Sequence, residues 1–324
     1  MSRRPGNLLR WFRFALAIAV GSALAGVPLL SAPVSATSHV PPIEQAREAF
    51  KKGDALQTIE ISKRALEHGE NAEFRNLLGK AYVITGQREM AILELQSAAR
   101  LQTYNEHYQF DLAQLLLNMQ KFPMALAVLE TAHRHLPKSV QIELALGVAY
   151  YVCVQYDDAV RAFLRTMELA PEVPQPYLFL GRMLGHAEKH LNEIAGHFVV
   201  SEHADPSNPY APLLHAKVLV EQLGPIDEKN NTDAAVNLLK KTIALKSDWA
   251  EPYFILGLLM IREQNDKGAV PFLEKSVQLD PNDPITRYRL GLVYARLGNR
   301  ARADEEFAAQ DRLKNQQHRS SMLP

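Results

Sequence analysis

Four histidines between positions 186 and 203 are the side chains whose type and spacing best suit metal chemistry. His186 and His190 are four residues apart, a spacing that places two imidazoles on one face of a helix, and His197 and His203 follow. The zinc-protease motif has a Glu directly after its first His, whereas here the Glu is the second residue after His186. The repeat register described below also places residues 186–190 in a turn. We predict no metal site, and a metal-dependent activity at His186 and His190 stays as the alternative.

The other reactive side chains form no recognised catalytic motif. The sequence contains no phosphate-binding glycine loop, no serine elbow and no Cys-His pairing. Cys153 is the only cysteine, which excludes an intramolecular disulfide, and its apolar surroundings predict a buried, inert thiol. Asn230, Asn231 and Thr232 form a glycosylation sequon in an exposed insertion, which we expect to be bare. We therefore predict a protein that is not an enzyme and has no cofactor.

The elements that position these residues follow from an internal repeat. A Leu-Gly pair, or an equivalent pair ending in Ala, recurs seven times at nearly even steps, one of which is lengthened by an insertion. The pairs are Leu78-Gly79, Leu112-Ala113, Leu146-Gly147, Leu180-Gly181, His215-Ala216, Leu256-Gly257 and Leu290-Gly291. A unit of about 34 residues cannot bury its own apolar face, so neighbouring units must stack and share a core.

Each unit predicts two helices that cross closely. Leu146 and Tyr150 lie four residues apart on the first helix, and Ala159 and Phe163 repeat that spacing on the second. Glycine in a helix costs about 1 kcal/mol relative to alanine, so the recurring glycine, such as Gly147, indicates that a second helix approaches too closely for a larger side chain. Prolines at positions 137, 171, 206 and 281 then end the second helix.

This pattern resembles the tetratricopeptide repeat family, in which Leu-Gly-x2-Tyr, Ala-x3-Phe and Pro recur together. The resemblance covers residues 43–314 and implies an all-α fold, a right-handed α-solenoid of about eight helix-turn-helix repeats with a concave groove that binds peptides or proteins. The first unit departs from the pattern because it lacks the Leu-Gly pair. The fifth has Glu193 or Ile194 where a small residue is expected, and the sixth has His215-Ala216 and an insertion at 224–232.

First-helix positions near each Leu-Gly pair predict the lining of this groove, as an apolar ladder with interspersed basic residues. The predicted partner-binding residues are Asn76, Lys80, Phe110, Gln114, Leu144, Val148, Leu178, Arg182, Leu213, Lys217, Phe254 and Tyr288, with Leu258 and Leu292 at the corresponding later positions. We expect the groove to take an apolar segment whose carboxylate is held by Arg182 and Lys217. In the alternative, these residues pack against adjacent first helices and the basic groups are only solvated.

The N-terminus has the features of an export signal. Four arginines precede an apolar run at residues 14–30, and small residues at Val34, Ser35 and Ala36 predict cleavage after Ala36. The alternative is an uncleaved membrane anchor, since the run is near the lower length limit for a bilayer span. The predicted organisation is a signal peptide at 1–36, a linker at 37–42, the repeat domain at 43–314 and a polar tail at 315–324.

The charge of the chain argues against nucleic acid as a partner. After residue 36 the chain has 32 basic and 36 acidic residues, whereas phosphate binding requires concentrated basic surface. We predict an exported, periplasmic or secreted scaffold that binds a protein or peptide. The alternative is a component of an envelope machine for polysaccharide export, pilus assembly or outer-membrane protein insertion.

Overall fold

A computed structural model describes residues 40–222 and 229–322 of the 324-residue chain. Within these ranges the regular elements are α-helices and two short 3-10 helices, with no β-strand. None of the described helices combines the length and the apolar character that crossing a bilayer requires. The predicted signal peptide, its cleavage site and most of the insertion at 224–232 lie outside the described residues.

The described residues from position 40 to Leu169 form one compact unit, called unit 1, which contains four helix pairs. Its helices are α1 Pro42–Lys51, α2 Ala55–Leu66, α3 Ala72–Ile84, α4 Arg88–Leu101, α5 Glu106–Asn118, α6 Phe122–His135, α7 Val140–Val152 and α8 Tyr156–Leu169. The two helices of each pair pack on each other, and each second helix packs on the first helix of the next pair.

Residues Ala170–Pro324 form a second compact unit, called unit 2, which also contains four pairs. Its helices are α9 Pro174–Met183, α10 Leu191–Ala204, α11 Tyr210–Gln222, α12 Lys229–Leu245, α13 Ala250–Arg262, α14 Asp266–Leu279, α15 Pro284–Arg296 and α16 Arg300–Met322. The predicted all-α fold of about eight helix-turn-helix repeats is therefore confirmed. Helix α16 continues to Met322, through most of the segment predicted to be a polar tail.

Recurring glycines mark the points where paired helices cross. A methyl group on Gly147 would lie 2.7 Å from Phe163 Cδ1 of the partner helix, and one on Gly257 would lie 2.6 Å from Leu273 Cδ2. These distances are shorter than carbon atoms tolerate, so glycine is required for the large side chain opposite to pack fully. Phe163 and Leu273 are both completely buried as a result.

In six of the pairs, the turn between the two helices uses a left-handed residue just after the C-cap of the first helix. Gly53, Gly86 and Gly298 have φ angles of 78° to 79° there, which glycine adopts without steric cost. Val154 takes the same conformation with φ 64°, and Gln120 and Gln264 do so as well. Because the α-helix cannot continue through such a residue, the turn is short and the second helix folds back on the first.

The start of many helices is capped by a side chain that the sequence supplies locally. The carboxamide oxygen of Asn71 accepts hydrogen bonds from the backbone N–H of Glu73 and Phe74, and Asn105 does the same at α5. Asp283 accepts from two backbone N–H groups at the start of α15. These contacts satisfy N–H groups that have no partner within the helix, which fixes where each helix begins.

The fifth pair departs from this geometry and corrects the prediction made for Gly181. Helix α9 ends at Met183, two 3-10 turns follow, and α9 and α10 each pack on α11 more than on each other. A methyl group on Gly181 would meet Lys217 Nζ and Leu214 of α11, rather than a side chain of its partner helix. Ile194 and Phe198, four residues apart on α10, are both fully buried. Ile194 stands where most second helices have the alanine that allows close crossing, and Phe198 takes the large apolar position four residues later.

Two smaller predictions are also corrected. Cys153 is half-buried rather than buried, because it is the C-terminal cap of α7 and lies at the turn instead of inside the pair. Burial still raises the pKa of its thiol, which disfavours the reactive thiolate. The sequon lies in the first turn of α12 rather than in a loop, and Thr232 is buried.

Candidate functional site

Four of the predicted groove residues meet in one pocket of unit 2. Leu178 and Arg182 come from α9, and Leu213 and Lys217 come from α11. The pocket has a volume of about 70 Å³, comparable to a few heavy atoms of a ligand side chain. The repeat brings these residues together because Leu178 and Leu213 share one register position in successive first helices, and Arg182 and Lys217 share another.

Five further residues line the pocket that the sequence argument did not select. They are Tyr177, Gly181, Tyr210, Leu214 and Glu251. The repeat contained a signal for two of them, since Glu251 follows Lys217 by one repeat interval and Tyr210 follows Tyr177 by nearly the same step. Residues at one repeat interval face each other across adjacent first helices, so both could have been found by applying the period to neighbouring positions.

The carboxylate of Glu251 orients Lys217, and Gly181 leaves room for its ammonium group. Its Nζ lies 2.8 Å from Glu251 Oε1 of α13, and the side chain is mostly buried. A methyl group on Gly181 would come within 3.2 Å of that Nζ, so the absence of a side chain there leaves room for the ammonium group. An ammonium has three N–H donors, and donation to Glu251 uses one of them. Lys217 is therefore oriented while keeping capacity for a second acceptor.

Aromatic rings form a wall beside these charges. The ring centroids of Tyr177 and Tyr210 are 6.3 Å apart, and Tyr210 meets Trp249 edge-on at 4.9 Å. The Tyr177 hydroxyl donates to the carbonyl of Pro171 at 2.9 Å, and burial raises the pKa of Tyr177. Its hydroxyl consequently stays protonated and remains a donor at physiological pH. The wall is fixed by contacts on both sides, which favours a preformed pocket.

The predicted groove residues of unit 1 are arranged differently. Asn76 Nδ2 donates to Asp111 Oδ2 at 2.9 Å, and Lys80 Nζ lies 3.3 Å from the same oxygen. Phe110 and Val148 are buried. In unit 1 these contacts match the alternative reading, in which residues of adjacent first helices pack against each other.

The remaining predicted positions vary in exposure. Gln114 and Leu144 in unit 1, and Phe254 in unit 2, are half-buried. Tyr288 is exposed, and its ring lies 6.0 Å from that of Phe307. Arg182 is exposed at the mouth of the pocket, whereas Leu213 is buried at its base. The pocket thus offers two cations, one carboxylate and an apolar floor, which suits binding of an acidic group attached to an apolar side chain.

None of the four histidines between positions 186 and 203 lines this pocket. His186 ends the first 3-10 turn after α9 and His190 ends the second, as the repeat register predicted. His190 Nδ1 lies 2.8 Å from Glu193 Oε2. Across residues 40–222 and 229–322, no three His, Cys, Asp or Glu side chains converge in a way that could hold a metal ion.

Comparisons with known proteins agree with the repeat. The sequence model of the tetratricopeptide repeat family matches residues 110–174. No curated protein matches the chain. Among solved structures, the C-terminal part of a TPR repeat-containing protein from Cytophaga hutchinsonii is 14% identical with a TM-score of 0.55, over 76% of this chain and 99% of that one.

Two further structures are similar at lower scores. The pilus biogenesis factor PilW is 18% identical with a TM-score of 0.49, over 62% of this chain and 91% of that one. The Cut9–Hcn1 structure is 15% identical with a TM-score of 0.49 and covers 85% of this chain. This chain spans about half of the matched Cut9–Hcn1 chain, 53%. The sequence match identifies tetratricopeptide repeats at residues 110–174, and the helix pairs of the described residues have the fold of that family.

Proposed function

We propose that this protein is a non-catalytic scaffold that binds a peptide segment of a partner protein at the pocket between α9 and α11. The observation that carries the proposal is the convergence of Leu178, Arg182, Leu213 and Lys217 on one small pocket. Apolar residues at its base provide burial, and the two cations select an acidic group next to the buried side chain. The tetratricopeptide fold supports a binding role, because its repeats present first-helix faces to a ligand.

Lys217 gives the pocket its preference for a ligand carboxylate. Lys217 is oriented by Glu251 and partly shielded from water, so its interaction with a ligand carboxylate is screened less than at an open surface. Arg182 at the mouth can present a planar, bidentate guanidinium to the same carboxylate. A ligand with an Asp or Glu next to a Leu-sized residue fits both features.

We further propose that the protein is exported and processed after Ala36. The arginines before the apolar run at residues 14–30 and the small residues before the predicted cleavage site support this proposal. The mass of the protein recovered from its producing cell tests it. A mass corresponding to a chain that begins at Thr37 supports cleavage, and a mass that retains residues 14–30 supports the membrane-anchored alternative.

Site-specific photo-crosslinking tests the pocket itself. A photoreactive phenylalanine analogue replaces Leu178 in the producing cell, and the matched control carries it at Lys240, an exposed position of α12. Binding at the pocket predicts a discrete adduct from position 178 that position 240 does not give. Mass spectrometry of that adduct identifies the crosslinked peptide, which should contain an acidic residue. Equal adducts from both positions would contradict the pocket as the binding site.

Charge variants then test the role of the two cations. Arg182→Glu together with Lys217→Glu should lower the adduct yield from position 178 by about tenfold, since a hydrogen bond to a charged group is worth about 1.5 to 3 kcal/mol. Because Glu at 217 would face Glu251, Arg182→Gln with Lys217→Gln serves as a milder second variant. Unchanged adduct yield in both folded variants would exclude a carboxylate clamp while leaving the scaffold function intact.

A further inference from the structure

Exposed aliphatic side chains collect at one end of the helix pairs of unit 1, at the turns that join the two helices of each pair. They are Leu56, Val83, Ile84, Met90, Met124 and Val154, called here the turn-end cluster. Val83 and Ile84 end the first helix of the second pair, and Leu56, Met90 and Met124 lie in the first turn of three second helices. Since first helices end and second helices begin at these turns, all six lie at the same end of the pairs.

Part of the cluster follows the repeat. Leu56, Met90 and Met124 are each separated by one repeat interval, so they occupy one position in three successive repeats. Leu56 is 73% exposed and Met124 is 50% exposed. The fourth repeat has Asp158 at this position, where it pairs with Arg161 at 2.5 Å. The apolar row therefore ends within unit 1 at a charged, solvated pair.

The fold does not require these side chains to be apolar. Val154 is 67% exposed, and its φ of 64° is a conformation that a β-branched residue adopts only with strain. Gly53 and Gly86 take the same place in the first two pairs without strain. Both solubility and backbone conformation would favour glycine at position 154. An exposed valine there adds apolar surface at a cost to stability, which points to a surface that something contacts.

Basic groups lie at the first three turns of the cluster. Lys51, Lys52 and Arg88 are exposed there, with Lys51 Nζ 3.3 Å from Glu48 Oε1, and Lys121 is half-buried in the turn before α6. Helices α4 and α6 start at this end without a side-chain cap, so their free N–H groups add partial positive charge.

Acidic groups are fewer than basic groups at the first three turns, whereas the fourth turn, which carries Val154, is followed by Asp157 and Asp158. Asp54 is the N-cap of α2, where its carboxylate accepts from the backbone N–H of Gln57, and Glu89 follows Arg88. In unit 2, by contrast, the turn between α13 and α14 consists of exposed Glu263, Gln264 and Asn265. The turn between α15 and α16 has exposed Leu297 next to Arg296 and Arg300, but only in unit 1 does an apolar position recur in three successive turns, at Leu56, Met90 and Met124.

We propose that the turn end of unit 1 docks on the surface of an anionic lipid bilayer. The apolar side chains project from separate turns instead of forming one continuous face, and a fluid bilayer can surround each of them. A folded protein partner would need a complementary shape for each gap. The basic groups match the negative surface of anionic lipids, and short apolar insertion with basic flanks is how peripheral proteins lie on membranes.

This docking differs from spanning the membrane and from binding at the pocket in unit 2. It uses side chains at the ends of short helix pairs, so it needs no long apolar helix. The predicted apolar leader at residues 14–30 would itself bind lipid if it were retained. The experiment must therefore report on the turn end and not on total membrane binding.

An environment-sensitive fluorophore at position 154 provides that readout. The full chain carries Cys153→Ser and Val154→Cys, and the label is attached to the single remaining thiol. The matched control carries Cys153→Ser and Tyr104→Cys, because Tyr104 is 73% exposed in a loop at the opposite end of the helix pairs. Vesicles contain phosphatidylcholine alone or phosphatidylcholine mixed with phosphatidylglycerol.

We expect vesicles with phosphatidylglycerol to shift the emission of the label at 154 to shorter wavelength, and to leave the label at 104 unchanged. Leu56→Ser, Met90→Ser and Met124→Ser combined should weaken the response about tenfold. Leu93→Ser, which removes an exposed apolar residue from the middle of α4, should not weaken it.

Three results would overturn the proposal. The first is no response at 154 with anionic vesicles, and the second is an equal response at 104. The third is a response at 154 to vesicle-free envelope protein but not to lipid, which would assign the turn end to a protein partner.

Discussion

The hydroxyl of Tyr150 on α7 donates to Glu130 Oε1 on α6 at 3.1 Å, which joins the third helix pair to the fourth. The same contact recurs in unit 2, where the Tyr294 hydroxyl donates to Glu274 Oε1 at 2.5 Å. Both tyrosines occupy the position four residues after the leucine of the Leu-Gly pair. The tyrosine of this repeat pattern thus joins adjacent repeats by a polar contact in addition to its packing.

The Tyr150 contact predicts a loss of stability in alkali. Burial, followed by the hydrogen bond and charge of Glu130, raises the pKa of Tyr150 to about 12. A raised folded-state pKa means that the folded protein favours the protonated phenol. This stabilisation is complete below the unfolded value of about 10 and is lost as the pH rises toward 12.

Tyr150→Phe should therefore make the midpoint of urea unfolding less dependent on pH between about 10 and 12. At pH 8 the variant should lose about 1 kcal/mol, the value of one hydrogen bond, whereas the exposed Tyr104→Phe should lose almost none. An unchanged alkaline profile in Tyr150→Phe would show that this contact does not contribute.

Two glycines with opposite surroundings should respond oppositely to alanine. A methyl group at Gly147 would lie 2.7 Å from Phe163, so Gly147→Ala should destabilise the protein by about 1 to 3 kcal/mol through overpacking. Gly196 in α10 has no neighbouring atom within 4 Å of such a methyl group. Gly196→Ala should therefore stabilise by about 0.5 to 1 kcal/mol, through helix propensity.

Thermal unfolding of Gly147→Ala and Gly196→Ala measures both changes in stability. Adding Phe163→Leu to Gly147→Ala should recover part of the loss, because the smaller side chain leaves room for the methyl group. Changes of the same sign at both glycines would contradict the view that the Leu-Gly motif exists for helix crossing. Lys314→Ala, at an exposed position of α16, should be near neutral.

The strained turn at Val154 offers a stabilising substitution. Val154→Gly should raise the free energy of unfolding by about 1 kcal/mol, because glycine adopts the left-handed conformation without a steric penalty. Val154→Ala keeps the Cβ atom and should recover much less. Denaturant titration of both variants measures the difference. A loss of stability in Val154→Gly would mean that the valine side chain makes a compensating contact.

The environment of His215 predicts that the free energy of unfolding falls in acid. Its ring stacks on Phe198 with centroids 4.9 Å apart, and burial lowers its pKa, opposed by the charge of nearby Glu202. A lowered folded-state pKa means that folding favours the neutral ring. The associated stability is present above the unfolded value of about 6.5 and is lost as the pH falls through that value toward the folded pKa.

His215→Leu should remove this acid sensitivity, since the six other Leu-Gly-type pairs have leucine at the same position. We expect the melting temperature of the variant to fall less between pH 7.5 and pH 5 than that of the natural protein. Exchange of the exposed His107 for Gln serves as a control that should keep the natural profile. An identical fall in His215→Leu would locate the acid-sensitive group elsewhere.

The repeat predicted most of the fold because its signals are local. Crossing glycines such as Gly147, the buried residues opposite them and the prolines between pairs act within a single repeat, where helix geometry alone fixes which side chains meet. The fifth pair could not be predicted in this way. Its geometry depends on how Ile194 and Phe198 pack. The spacing between successive Leu-Gly pairs does not predict that packing.

The candidate site was predictable only in part for a related reason. The register identified Leu178, Arg182, Leu213 and Lys217, but it gave equal weight to Asn76 and Lys80, which bind Asp111 instead. Whether a first-helix residue faces a ligand or its neighbour depends on which side chain the next repeat places opposite it. An acid of the next repeat meets the lysine in both units, Asp111 at Lys80 and Glu251 at Lys217, but only in unit 2 does a pocket remain beside the lysine.

The sequence by itself determined the fold class, the number of repeats and the residues that cross inside the regular pairs, because a fixed period imposes the same local packing on each repeat that keeps the pattern. The tertiary structure decided that α9 and α10 pack on α11 more than on each other, that Glu251 orients Lys217, and that six exposed aliphatic residues share one end of unit 1. These features depend on contacts between successive repeats, and the side chains that meet there vary from one repeat to the next.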